Sequence, residues 1–143
     1  MFTSEIDKWL NDNSSEGYKS YVTLHEPDTL RSLETLGVAL NSELAYFYCH
    51  YGAATVRGWY ELNEVEQVKE WTDYAQEELG VSTEYLALTG VQGQGILLFN
   101  LLTQAIYDVE FGQFEQLENG KLIPLSATFS GFLEFCKKRS DTR

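Results

Sequence analysis

Between Glu61 and Glu84 the chain carries eight acidic residues, Glu61, Glu64, Glu66, Glu70, Asp73, Glu77, Glu78 and Glu84, against a single basic one, Lys69. Glu66, Glu70, Asp73 and Glu77 recur at intervals of three and four residues, which at about 100° per residue sets them along one face of a helix. Val65, Val68, Thr72, Ala75 and Leu79 form a second stripe nearly opposite. Like charges three and four apart disfavour a helix by a few tenths of a kcal/mol per pair, so the acidic row invites a functional cause. A nuclease must present Lys and Arg to its phosphates, and a row of carboxylates is suited to occupy that surface and to speed encounter by long-range attraction. The alternative is a solvated helix face without a partner. Tyr74 lies nearer the acidic stripe than the apolar one and is expected to be solvent-accessible, either as an interface anchor or as an ordinary partly covered tyrosine. The candidate partner-binding residues are therefore Glu66, Glu70, Asp73, Tyr74 and Glu77.

Other chemistry finds less support. His25 and His50 are the only histidines, neither has a second ligand at metal spacing, and His25-Glu26-Pro27 is no metalloprotease motif, so no metal or cofactor is expected. Cys49 and Cys136 lie in apolar surroundings and are expected to be reduced core residues. No Gly-x-Ser-x-Gly elbow is present, and Cys49 cannot face the adjacent His50 in a helix, so no catalytic residue is assigned. Gly90-Val91-Gln92-Gly93-Gln94-Gly95 lacks a lysine and leads into an apolar run, which makes it a strand connection rather than a phosphate cradle. Asp108 and Glu110 share one face of a predicted strand, where a cation site or acid/base role is a minor alternative to a plain acidic face. Asn13-Ser14-Ser15 matches a glycosylation acceptor, which matters only for a secreted chain.

The elements that hold these residues follow from periodicity and punctuation. Phe2, Ile6, Trp9 and Leu10 predict a first helix, followed by a turn-like 11–17 and an extended 18–24. Asp28 is the expected cap of a second helix that stops at Gly37, and Asn41 or Ser42 caps a third that stops at Gly52. Residues 53–62, with Val56, Trp59 and Tyr60, read as extended, and Asn63 as the cap of the acidic helix, 63–79. Short apolar runs at 85–88, 96–102, 105–110 and 114–117, separated by glycines and Asn119-Gly120, predict an antiparallel meander. A closing helix spans about 126–139, with Phe129, Phe132, Leu133, Phe135 and Cys136 at helical intervals and Lys137, Lys138 and Arg139 at its end.

With 143 residues, 43% hydrophobic and 14% aromatic, one core is expected. The predicted class is α+β, a single domain over 1–143, with 1–24 an N-terminal helix and extension and 139–143 a tail. A formal charge of -12 repels phosphate backbones and argues against direct nucleic-acid binding. The N-terminus lacks a basic region followed by an unbroken apolar stretch, and the longest apolar run falls far short of the ~20 residues a membrane span needs, so a cytoplasmic protein is expected.

Several segments in this order resemble the SMI/KNR-like family of the SUKH superfamily. They are Ser32-Leu33-Glu34-Thr35-Leu36-Gly37, Leu40-Asn41-Ser42-Glu43-Leu44 running on to Tyr51-Gly52, Trp59-Tyr60-Glu61-Leu62, Leu86-Ala87-Leu88-Thr89-Gly90, Gly93-Gln94-Gly95, Ala105-Ile106-Tyr107-Asp108, and 125–133 with Phe129 and Phe132. The resemblance covers about 25–138 and rests on collinear order, no one segment being specific. Asn41 stands where the family usually has proline, and His50-Tyr51-Gly52 where it commonly has Asn-Gly-Gly. The resemblance implies a mixed, mainly antiparallel sheet with helices packed against it. In bacterial members it implies an immunity protein that binds and neutralises a toxin domain, frequently a nuclease. A regulatory or scaffold protein of the same fold is the second expectation and a small hydrolase the third; the protein is expected to be a monomer or weak homodimer.

Overall fold

Thr3 caps the first helix, α1 (Ser4–Asp12), its hydroxyl accepting the Ile6 N–H at 3.2 Å, and the helix buries Ile6, Trp9 and Leu10. The protein is described by a computed structural model covering residues 1–14, 16–52, 54–56 and 60–141. Its second helix, α2 (Glu16–Leu24), corrects the extended expectation for 18–24. Tyr18, Tyr21, Val22 and Thr23 favour strands by type, yet Tyr18, Tyr21, Val22 and His25 also fall three and four apart, and packing decides between the two. Val22 is buried against Gly52, where an added Cβ would lie 2.6 Å from Val22 Cγ2 and 3.0 Å from Tyr18 Cε1. Gly52 also has φ +76°, so glycine is required there twice over.

The third helix, α3 (Glu26–Thr35), begins two residues before the expected cap Asp28. Pro27 is tolerated in a first turn because its missing N–H has no helical partner to lose. Asp28 instead pairs with Arg31, whose hydrogen bond holds the carboxyl below the usual carboxylate range. The helix stops as predicted, with Val38 N–H donating to Leu33 O at 2.9 Å and Gly37 N–H to Glu34 O at 3.0 Å. Ser42 caps α4 (Glu43–His50), which buries Leu44, Ala45, Phe47, Tyr48 and Cys49.

The extended stretch after Gly52 is two short antiparallel strands, β1 (Ala54–Val56) and β2 (Tyr60–Leu62); Trp59 lies outside the described residues. In the acidic helix, α5 (Val65–Glu78), the N-cap is Glu64 and not Asn63. Gln67 Oε1 accepts the Glu64 N–H at 3.2 Å, while the Asn63 N–H is taken by Leu88 O at 2.8 Å.

The strands β3 (Tyr85–Ala87), β4 (Gly95–Asn100) and β5 (Ile106–Glu110) form the expected antiparallel meander, with Ala87 opposite Leu98 and Leu97 opposite Asp108. The central β4 is buried at every position because both of its faces are covered. Leu97 and Phe99 join one cluster with Leu33, Phe47 and Phe132, and Ile96 and Leu98 join another with Ala75, Val109 and Leu117. The run at 114–117 is not a fourth meander strand but the helix α6 (Phe114–Glu118), a second correction. Phe114 and Leu117 stand one helical turn apart and both pack on the second cluster, and a four-residue apolar run does not distinguish strand from helix by period.

The closing helix α7 (Phe129–Asp141) buries Phe129, Phe132, Leu133 and Cys136 and runs past 139, so the expected tail boundary falls inside it. Helix α1 packs on α7, with Phe2 against Phe129 at 6.2 Å between ring centroids, so the N-terminal helix belongs to the core. The whole is an α+β single domain, an antiparallel sheet with helices on both faces. Among the described residues, no helix is long and apolar enough to cross a membrane.

Candidate functional site

Helix α5 owes its orientation to the edge of the sheet. The Thr72 hydroxyl accepts the buried Ala87 N–H at 2.9 Å, which fixes the helix alongside β3 and occupies that strand's outer edge. From there Val65 and Val68 reach into the first core cluster and Ala75 into the second, with Leu79 partly buried against it. The apolar stripe is thus consumed by the two clusters it bridges. The opposite stripe has no such use: Glu66, Glu70, Asp73 and Glu77 are all exposed, as expected. The structure brings the five predicted residues onto one surface, with Tyr74 beside the carboxylates and 38% exposed.

The two flanks of this face differ. On one, Trp71 and Tyr74 meet edge to face at 5.3 Å, and Trp71 lies so close to Gly90 that an added Cβ there would come within 2.7 Å of the indole. Gly90 therefore serves as the seat of Trp71 as well as part of the connection between β3 and β4. On the other flank, Lys69 donates to Asp73 at 2.9 Å, and this bond raises the Lys69 pKa. Beyond Lys69 lies a groove of about 350 Å³ between α3 and α5, where Ser32, Thr35 and Leu36 face Val65, Glu66 and Glu70. Its lining combines Leu36 and Val65 with two hydroxyls, Lys69 and two carboxylates, Glu66 and Glu70, that it shares with the acidic face. Ser32, Thr35 and Leu36 were not among the predicted residues, because only the packing of α3 on α5 places them there.

The remaining candidates are dispersed. His50 is exposed at the end of α4, with Nδ1 2.9 Å from Tyr46 O and its ring 4.0 Å from that of Tyr46. Asp108 accepts the Tyr60 hydroxyl at 2.8 Å, so it acts as a tether between β5 and β2, and it is exposed in β5 together with Glu110. Both cysteines are free and buried, and burial pushes the Cys49 thiol up and that of Cys136 up to about 12, away from a nucleophilic thiolate. Among the described residues, no group of three or more His, Cys, Asp and Glu is placed to hold a metal ion.

No known protein-family model matches the chain, and no curated protein matches it.

Proposed function

We propose that this chain is a non-enzymatic protein-binding domain of SMI/KNR-like immunity type that neutralises a basic toxin domain, such as a nuclease, in the cytoplasm. One observation carries the proposal: α5 spends its apolar stripe on both core clusters and presents four carboxylates and a tyrosine to solvent, against the single Lys69. A surface of that composition attracts a cationic partner at a distance and offers it an aromatic contact on arrival. The groove beside α3 supplies the concavity that a flat helix face lacks. Two reduced, buried thiols suit a reducing compartment.

The test is co-expression with the product of an adjacent toxin gene. Co-purification of the two chains, weakened by Glu70→Lys with Asp73→Lys, is the expected outcome. If no adjacent gene product binds, or if binding ignores the charge reversal and is insensitive to salt, the immunity reading fails and a regulatory protein of the same fold becomes the better account.

A further inference from the structure

Three segments, 36–42, 101–106 and 122–128, meet at the end of the sheet where β4 turns back into β5. A Cβ built on Gly37 would lie 3.5 Å from Leu101 Cδ1, and Leu125 N–H donates at 2.8 Å to the backbone oxygen of Ile106, the first residue after the turn. Val38, Leu101 and Leu125 root the three segments in the first core cluster. Each segment also turns one large apolar side chain outward: Leu40 is 45% exposed, Leu102 78% and Ile123 86%. Charged residues make up 22% of the chain, yet none of these segments holds one. The nearest carboxylates are turned to internal donors. Glu43 Oε1 accepts the Ser130 N–H at 3.1 Å, and Glu84, whose backbone oxygen receives the Leu101 N–H, accepts the Ser82 hydroxyl at 3.1 Å. The turn that carries Leu102 is pinned by the buried Asn100. Its Oδ1 accepts the N–H groups of Leu102 and Thr103 at 2.8 and 3.0 Å, and its backbone oxygen accepts the Gln104 N–H at 2.8 Å. Gln104 takes φ +68°, a left-handed conformation that a side chain adopts only where its surroundings enforce it. Leu102 is therefore held out to solvent by a defined turn.

A single exposed leucine needs no explanation, but three large apolar side chains on one uncharged surface mark a contact site. Charge decides what covers it. A cationic partner gains nothing from a surface without carboxylates and is drawn to the α5 row instead. A second copy of the chain carries the same formal charge of -12 and is repelled wherever carboxylates face one another, whereas this end of the sheet lets two copies meet without opposing them. We infer that the chain self-associates through this surface, in a two-fold contact that sets Leu102 of one copy against Leu40 and Ile123 of the other. The pinned turn lowers the ordering cost of that contact. The inference stands apart from the toxin-binding reading, since no residue of the α5 row takes part. Three side chains from each copy make a contact at the small, transient end of protein interfaces, below about 1,200 Å² in all, so the dimer should form between about 10 μM and 1 mM.

The test is sedimentation velocity on the full chain over that concentration range, at low and at high salt. The expected result is a shift from monomer toward dimer as concentration rises, reached at lower concentration in high salt because salt screens the repulsion between two like-charged chains. Leu102→Glu sets two carboxylates into a two-fold contact and should raise the dissociation constant by roughly tenfold or more, with Ile123→Glu acting in the same direction. Leu24→Glu adds the same charge at an equally exposed position on α2 and should leave the dimer unchanged. All three side chains project into solvent, so far-UV circular dichroism and thermal melting should match the unaltered chain, which separates lost association from lost folding. A chain that stays monomeric throughout at both salt concentrations would overturn the inference, as would a dimer that survives Leu102→Glu or that salt dissolves. A monomeric chain that floats with phosphatidylcholine vesicles, and no longer does so as Leu102→Glu, would overturn it too by giving the surface to lipid. Failure of every adjacent toxin-gene product to bind leaves the dimer standing. Absence of the dimer beside an intact, salt-sensitive toxin complex removes this inference alone.

Discussion

The two faces of α5 are built from the same helix and turned to opposite uses. The inner face, Val65, Val68, Thr72 and Ala75, is buried and ties together two core clusters and a strand edge. The outer face, Glu66, Glu70, Asp73 and Glu77, touches no core cluster and gains only one intrahelical ion pair, Lys69 with Asp73. An exposed pair of that kind contributes little to stability, while the repulsion along the row opposes it slightly. The difference teaches that folding accounts for one stripe and leaves the other without a structural reason, and that asymmetry is what the binding proposal draws on.

Substitutions that respect or violate the asymmetry sharpen it. Val68→Asp places an uncompensated charge in the first cluster and is expected to lower stability by more than about 4 kcal/mol, or to prevent folding, in denaturant unfolding. Gly90→Ala drives a methyl group against Trp71 and is expected to cost about 2 kcal/mol in the same measurement, with a shifted Trp71 indole resonance. Thr72→Val keeps the shape of the inner stripe but deprives the buried Ala87 N–H of its acceptor, for a loss of about 1–2 kcal/mol and faster hydrogen exchange at Ala87. Glu70→Lys on the outer face should change stability by less than about 0.5 kcal/mol. If Glu70→Lys destabilised the fold as much as Thr72→Val, the outer face would have a structural role and the contrast would collapse.

How far this was legible in the sequence depends on length and redundancy. Both stripes of α5 could be read because they repeat over 14 residues, long enough for a 3.6-residue period to declare itself. Helices α1, α4 and α7 were legible from apolar residues three and four apart, reinforced at the eight-residue α4 by the Ser42 cap. The meander was legible from glycine punctuation, and β4 stood out because a strand covered on both faces is apolar throughout. Where a segment was short or its residue types contradicted its period, the sequence misled: Tyr18 to Leu24 was drawn toward a strand by aromatic and β-branched residues, although packing against Gly52 makes it α2. The same ambiguity turned α6 into an expected strand. At the candidate site, all five predicted residues are exposed where expected, because exposure on a helix is a local property. The groove beside α3 and the uncharged end of the sheet were not legible, since each needs segments distant in sequence to be brought together.

The central claim concerns encounter, so the most direct measurement is a stopped-flow association rate between this chain and an adjacent toxin-gene product, taken across a range of salt. The account predicts that the rate for the unaltered chain falls steeply as salt rises, while Glu70→Lys with Asp73→Lys is slower by roughly tenfold or more at low salt and nearly flat thereafter. Equal rates for the two proteins at every salt concentration would contradict it.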